Sequence, residues 1–316
     1  MARLVFLGTP EYAVPSLEAC LAEHEVLAVI TQPDRLGGRG RRQLMAPPVK
    51  AVALEHGVPV LQPQRLGRDA ATLAFLQEAH CDLFVLAAYG QILRPQVLAL
   101  ARRGVLGVHA SLLPRWRGAA PVAAAIAAGD CQTGVSIMLT EAGLDTGPVL
   151  ATQVVAIAPD DTTGTLTARL ARAGAQLLST TLPRWLNEEI VPSPQDPTLA
   201  TYAPEILKAQ GRIDWTLPAA ALERHIRAMS PWPGAYTNTP AGVRLAIQRA
   251  RVAAAAAETT PGCVLSLDGQ LAVTTGQGLL LLDQVQPAGR PLMSGSAFLR
   301  GQQQLIGTLL GAGDVA

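Results

Sequence analysis

Short, almost wholly apolar runs separated by helix-length segments set the strongest limit on what this chain can fold into. Residues 3–8, 25–31, 58–61, 83–88 and 105–109 read as strands, and 14–22, 47–56 and 70–78 carry helical spacing between them. Strands that are apolar throughout are buried on both faces, and strand–helix–strand repeats build a parallel sheet with helices on either side. Ligands of such α/β sheets lie beyond the carboxyl ends of the strands, often where strand order reverses. His109 stands at one of these ends.

Further along, 137–139 and 149–155 read as strands and 162–186 as a helix. The stretch VPSPQDPTLATYAPE, 191–205, is rich in Pro, Ser and Thr without apolar periodicity, which reads as an interdomain linker. Beyond it come a helix at 218–229 and five short strand-like runs, 235–239, 243–250, 262–267, 271–274 and 279–286, with glycine-rich turns. That texture predicts a small β-barrel of OB-like type. The expected organisation is an α/β domain over 1–190, a linker over 191–205 and a smaller β-barrel domain over 206–316.

A chain of 316 residues is long enough for two cores. Its net charge of +1 excludes a protein that coats nucleic acid through its global field, but leaves room for a local basic patch. Lys50 and Lys208 are the only lysines; the remaining basic residues are arginines, which make forked contacts with phosphate and carboxylate. Arg212, Arg224, Arg227, Arg244, Arg249 and Arg251 supply a possible basic face in the C-terminal part. Cys20, Cys81, Cys131 and Cys263 form no CxxC pair, so buried free thiols are expected rather than a zinc site or disulfides. The start of the chain has no signal-peptide pattern and no apolar run reaches about 18 residues, so a soluble cytoplasmic protein is expected.

Residues 107–118 read GVHASLLPRWRG. A histidine titrates near neutrality and can take a proton from an amine or alcohol. Pro114 fixes φ in the loop that follows. An aspartate beside the histidine would set its tautomer and favour the imidazolium, and Asp145 in GLDTG sits in a tight-loop setting suited to that. The residues alone leave two readings open: a working His109–Asp145 pair, or a histidine at a strand end and an aspartate in a turn. Arg115 and Arg117 are each free, on sequence, to meet an anion or simply to solvate the loop.

These residues carry a resemblance. FLGTPEYAVPSL (6–17), TQPDRLGGRGRRQLMAPPVK (31–50), AAYGQILR (87–94), HASLLPRWRGAAPV (109–122), GLDTGPVL (143–150), GRIDW (211–215) and SPWPGAY (230–236) together resemble the methionyl-tRNA formyltransferases along nearly the whole chain. The HxSLLP element with a later LDTG-type aspartate is shared by the wider folate-dependent formyltransferases. The arginine loop, GRIDW and the long C-terminal domain resemble the tRNA-acting branch. The resemblance implies a Rossmann-like N-terminal domain, an OB-like C-terminal domain, and transfer of a formyl group from 10-formyltetrahydrofolate to the methionine amine of initiator tRNA, with no metal. It implies His109 and Asp145 as catalytic. Ser111, Leu112, Leu113, Pro114, Arg115 and Gly118, with Tyr89 and Gly90, would frame the folate. A monomer is expected.

The segment 34–50 holds Arg35, Arg39, Arg41, Arg42 and Lys50 among three glycines and two prolines. It fits neither the Walker spacing nor GxGxxG. A flexible arginine-rich loop suits an acceptor stem, and the resemblance places Arg39 foremost there; a solvated charge run is the alternative. Lys208 is the candidate basic contact beyond the linker, where family members carry a lysine at the position of Glu205. The other departure is sharper. The family has asparagine two residues before the histidine, where it helps stabilise an oxyanion, and this chain has Gly107; its only asparagines are Asn187 and Asn238. A backbone N–H or a water in its place is the favoured reading; tRNA binding with weak catalysis is the alternative that Gly107 keeps open. Action on a small amine is a second, against which the arginine loop and GRIDW argue.

Overall fold

Apolar runs become central strands because burial on both faces favours side chains that leave no polar group unsatisfied. In the computed structural model, which describes residues 1–37, 43–254 and 260–311, the chain opens with β1 (Arg3–Gly8), α1 (Val14–Glu23) and β2 (Glu25–Ile30). A hairpin of β3 (Arg35–Gly37) and β4 (Gln43–Met45) precedes α2 (Pro48–Glu55) and β5 (Val60–Leu61). Asp69 caps α3 (Ala70–Ala79) by accepting from Thr72 N at 2.8 Å. Then follow β6 (Leu83–Ala87), α4 (Pro95–Leu98), β7 (Val105–His109), β8 (Arg117–Gly118) and α5 (Pro121–Ala128). β9 (Gln132–Leu139), β10 (Val149–Ala156) and the long α6 (Thr163–Leu186) complete this half. α5 and the β3–β4 hairpin are elements the apolar pattern does not announce, since α5 reads PVAAAIAA without an amphipathic stripe.

Seven strands form one sheet in the order β10-β9-β7-β6-β1-β2-β5. Pairing is parallel from β7 to β5, and β9 and β10 are added antiparallel. The order reverses between β1 and β6, so the carboxyl ends of β1, β6 and β7 share one edge of the sheet. Val5, Leu7, Ile30, Phe84 and Val105 are buried together in one core cluster. Gly174 of α6 lies so close to the sheet that a Cβ there would meet Val108 Cγ1 at 2.9 Å and Val135 Cγ1 at 3.3 Å. Side chains alternate along a strand, so α6 covers the face opposite the one bearing Gly107 and His109.

The segment 191–205 does not run free as a linker. Ser193 and Val149 exchange two backbone bonds of 2.8 Å, and β11 (Tyr202–Ala203) pairs in parallel with β8. Residues 191–203 thus pack with the first compact unit, formed by Met1–Pro121, Gln132–Ala156 and Leu166–Ala203. The second unit takes Val122–Cys131 and Ile157–Thr165 together with Pro204–Ala316. Within it, Arg224 Nε donates to Ala127 O at 3.1 Å and Thr163 Oγ1 to Ala228 O at 2.7 Å, which ties these inserts to α7 (Ala219–Ala228).

The second unit carries an antiparallel sheet of β12 (Ala235–Asn238), β13 (Arg244–Ala253), β14 (Val264–Leu267), β15 (Gln270–Thr274), β16 (Leu279–Pro287) and β17 (Met293–Ser294), followed by α8 (Gly295–Arg300). The main path is β12-β13-β16-β15-β14, with β17 on β16. Its arginines are largely committed: Arg227 pairs with Glu223, Arg251 with Asp283, and Arg244 stacks 3.6 Å over the Tyr236 ring. Of the cysteines, Cys20 and Cys81 are buried, but Cys131 is exposed and Cys263 half-buried, because each of those two lies just outside a core strand.

Candidate active site

His109 ends β7, and its ring is 11% exposed. Nε2 lies 2.9 Å from the Trp116 carbonyl, which can only accept, so Nε2 carries the proton and the lone pair of the neutral ring falls on Nδ1. Nδ1 is 3.7 Å from Asp145 Oδ2, too long for a hydrogen bond and within ion-pair range once the ring is protonated. The Asp145 backbone is left-handed at φ +52°, and its Oδ2 also accepts the Gly118 N–H at 2.7 Å. The structure thus brings the two sequence candidates together.

Buried hydroxyls hold the loop between them. Ser111 Oγ donates to Arg115 O at 2.6 Å, and Ser136 Oγ donates to Ser111 O at 2.7 Å while accepting Leu113 N at 3.1 Å. Ser111 is fully buried, so it locks the loop rather than facing a ligand. Leu112 packs on β9, where a Cβ at Gly134 would meet its Cδ2 at 2.5 Å. Pro114 follows a cis Leu113–Pro114 bond, and exposed Arg115 stacks 4.3 Å over the Trp116 ring. Arg117, open on sequence to a folate or phosphate anion, is only 5% exposed and spends Nε and Nη2 on Gln195 Oε1. Tyr89 is in the core, where burial raises its phenol pKa; only its backbone and Gly90, at φ +85°, reach the sheet edge. There the Tyr89 carbonyl accepts Thr9 Oγ1 at 3.0 Å and Gln32 Nε2 at 3.2 Å.

Sequence reasoning misses Gln195. Its amide nitrogen donates to the carbonyls of Asp145 and Gly147 at 2.8 and 2.7 Å. Thr201 Oγ1 accepts Trp116 N at 2.8 Å from the same supposed linker. No local pattern marks either residue, because their partners are distant in the chain. A second missed group anchors the arginine loop: Lys50 Nζ bonds both oxygens of Asp34 at 2.9 and 2.8 Å and Gln62 Oε1 at 2.8 Å. Hydrogen bonds from Gln62 and Lys50 hold the Asp34 carboxyl below the usual range. Arg35 is exposed on β3, Lys208 is exposed in the second unit, and Arg39, Arg41 and Arg42 lie outside the described residues.

An open cavity of about 370 Å³ is lined by Leu113 and Pro114 together with Leu150, Thr152, Ser193 and Asp196; neither His109 nor Asp145 lines it. Among the described residues no group of three His, Cys, Asp or Glu side chains could hold a metal ion, and no helix is long and apolar enough to cross a membrane.

Comparison with known proteins shows the family. Residues 2–182 match the model of the formyl transferase family, and 205–303 match that of the formyl transferase C-terminal domain. Methionyl-tRNA formyltransferase of Chloroflexus aurantiacus is 49% identical over 302 residues, 95% of this chain and 96% of that one. The Myxococcus xanthus methionyl-tRNA formyltransferase is 47% identical over 308 residues, 97% of each chain. Among solved structures, an N-formyltransferase from Helicobacter canadensis in complex with folinic acid and dTDP-3-aminofucose superposes with a TM-score of 0.66 at 17% identity, over 89% of this chain and 99% of that one. HypX from Aquifex aeolicus in complex with tetrahydrofolic acid gives 0.61 at 17% identity, over 96% of this chain, which spans 47% of HypX. At those identities the two structures speak for the fold alone. With a histidine and an aspartate facing each other at the end of β7, both family domains in order and near-half identity over almost its full length, the chain belongs to the methionyl-tRNA formyltransferase family.

Proposed function

We propose that this chain transfers the formyl group of 10-formyltetrahydrofolate to the amino group of methionine carried by initiator tRNA. The observation that carries the reading is the His109–Asp145 arrangement, with the Trp116 carbonyl holding Nε2–H and leaving Nδ1 as the base. In the reaction a C–N bond forms between amine and formyl carbon, the bond to the folate nitrogen breaks, and one proton passes between the two nitrogens. His109 Nδ1 accepts that proton from the attacking amine and returns it to the leaving nitrogen. Asp145 opposes the imidazolium formed in between, and Gly118 N–H keeps its carboxylate in place.

Leu112, Leu113, Pro114, Arg115 and Gly118 frame the folate in this reading, with Tyr89 and Gly90 contributing main chain and Ser111 holding the loop. The tRNA is met by Arg35, Arg39, Arg41 and Arg42 and by Lys208 of the second unit. We assign catalysis and the arginine-loop contacts to the first unit and further tRNA contacts to the second, and read the latter as an OB-like barrel. Its support is the segment 307–311, which bonds both sheet edges: Leu310 N to Gly262 O at 2.9 Å and Gly311 N to Asn238 O at 2.7 Å. Action in the cytoplasm as a monomer completes the proposal.

Single-turnover transfer with 10-formyltetrahydrofolate and methionyl initiator tRNA tests it, with uncharged tRNA as competitor. Formyl-methionyl-tRNA produced quickly and inhibited by the competitor is the expected result. Gly107 favours one other reading, a tRNA-binding protein with weak catalysis, for which tRNA would bind tightly without transfer.

A further inference from the structure

An addition at a formyl carbon puts negative charge on oxygen, and the site must aim a donor at it. The sheet face bearing His109 has few to offer. Val105, Gly107 and His109 share that face, and β9 runs antiparallel beside them with Met138 opposite Gly107 and Ser136 opposite His109. Ser136 is spent on Leu113 N and Ser111 O. Gly107 has no side chain. Thr140, the next residue of this register, donates its backbone N–H to Val105 O at 2.8 Å and begins the loop that carries Asp145.

The Thr140 hydroxyl is buried and has no hydrogen-bond partner among the described residues. A Cβ built on Gly107 would lie 3.1 Å from that oxygen and 3.3 Å from Met138 Cε. The hydroxyl and the Met138 thioether therefore both border the space in front of the glycine, and a flexible thioether can give way to an entering oxygen. A buried orphan hydroxyl calls for an explanation, and a catalytic role is one of the few that applies. The absence of a side chain at 107 and the orphan at 140 explain one another: a larger residue at 107 would press on Thr140, and Thr140 fills what the glycine leaves open.

We propose that Thr140 Oγ1 is the side-chain donor to the formyl oxygen in the transition state, in place of a side chain at position 107. This rests on the formyl-transfer reading above. It assigns Thr140 a catalytic role that the HxSLLP and LDTG motifs do not indicate, and it accounts for Gly107 without loss of activity.

The test is single-turnover transfer by wild type, Thr140→Val, Thr140→Ala, Thr140→Ser and the double variant Gly107→Asn/Thr140→Ala, with folate affinity measured alongside. Thr140→Val keeps the shape and removes the donor; the expected result is a rate lower by on the order of 10²-fold at unchanged folate Kd. Thr140→Ser should keep most of the rate, and the double variant should recover what Thr140→Ala loses, which also serves if Thr140→Val fails to fold. Thr140→Val or Thr140→Ala transferring at the wild-type rate overturns the proposal and leaves the reading intact. No transfer by wild type removes the reading and this proposal with it.

Discussion

Arg117 and Gln195, 78 residues apart, are joined by two hydrogen bonds from one guanidinium to one amide oxygen, at 3.0 and 2.7 Å. The amide nitrogen of Gln195 reaches the opposite way, to the Asp145 and Gly147 carbonyls. One side chain thus ties the loop after His109 to the loop of Asp145. The precision of a proton-transfer pair depends on such supports, since catalytic groups lose rate when displaced by an ångström.

Replacing Gln195 by Leu leaves a buried guanidinium without its acceptor and two carbonyls without their donor. We expect a stability loss of about 2–3 kcal/mol, read by urea denaturation, and a transfer rate lower by roughly tenfold with tRNA affinity unchanged. A wild-type rate in a folded Gln195→Leu would show that the strut has no bearing on the pair.

His109→Gln and Asp145→Asn preserve size while removing base and carboxylate. Each should lower the single-turnover rate by about 10²–10⁴. Because the two act as a unit, the double variant should be scarcely slower than the worse single one. Fully additive losses would mean that they work independently.

Gly118 sits at φ +111°, and a Cβ there would meet the Ala203 carbonyl oxygen at 2.6 Å. Gly118→Ala must part β8 from β11 and draw the Gly118 N–H away from Asp145. A stability loss of about 1–3 kcal/mol should accompany slower transfer. Unchanged melting and rate would contradict this placement of β11.

Lys50→Met removes the cation that bonds both Asp34 oxygens at the base of the arginine loop. The expected outcome is a several-fold rise in KM for tRNA with KM for folate unchanged. Equal rises in both would place the defect elsewhere in the fold.

His225 Nε2 is buried without a hydrogen-bond partner among the described residues, and burial holds this histidine below its ordinary 6.5. Above that value both folded and unfolded rings are neutral, so the residue gives no pH dependence there. As pH falls through about 6.5 the unfolded ring takes a proton that the folded ring resists, and stability declines down to the lowered folded value. His225→Leu should flatten the fall in urea midpoint between about pH 7.5 and pH 5.5. His24, shifted the same way by burial, should leave a residual slope. An identical slope in wild type and variant would refute the assignment.

β1, β2, β6 and β7 are legible in the sequence because strands buried on both faces must be apolar at every position, a demand made residue by residue. His109 and the Leu112–Pro114 step are legible as a chemical cluster, and Asp145 as a turn aspartate of the right type. The helix α5 is not, since PVAAAIAA has no polar face to show its period. Residues 191–203 mislead for the opposite reason: Pro, Ser and Thr read as a linker whether their backbone meets water or another strand.

By itself the sequence determined the α/β character of the first half, the β-rich second part and the presence of a strand-end histidine and a turn aspartate, because burial and side-chain chemistry act locally. Only the tertiary structure decided that His109 Nδ1 faces Asp145, that Arg117 is buried on Gln195 rather than free for an anion, and that Thr140 stands over Gly107. Those are distances between residues far apart in the chain, and a hydrogen bond depends on separation and direction in space, which no spacing along the chain records.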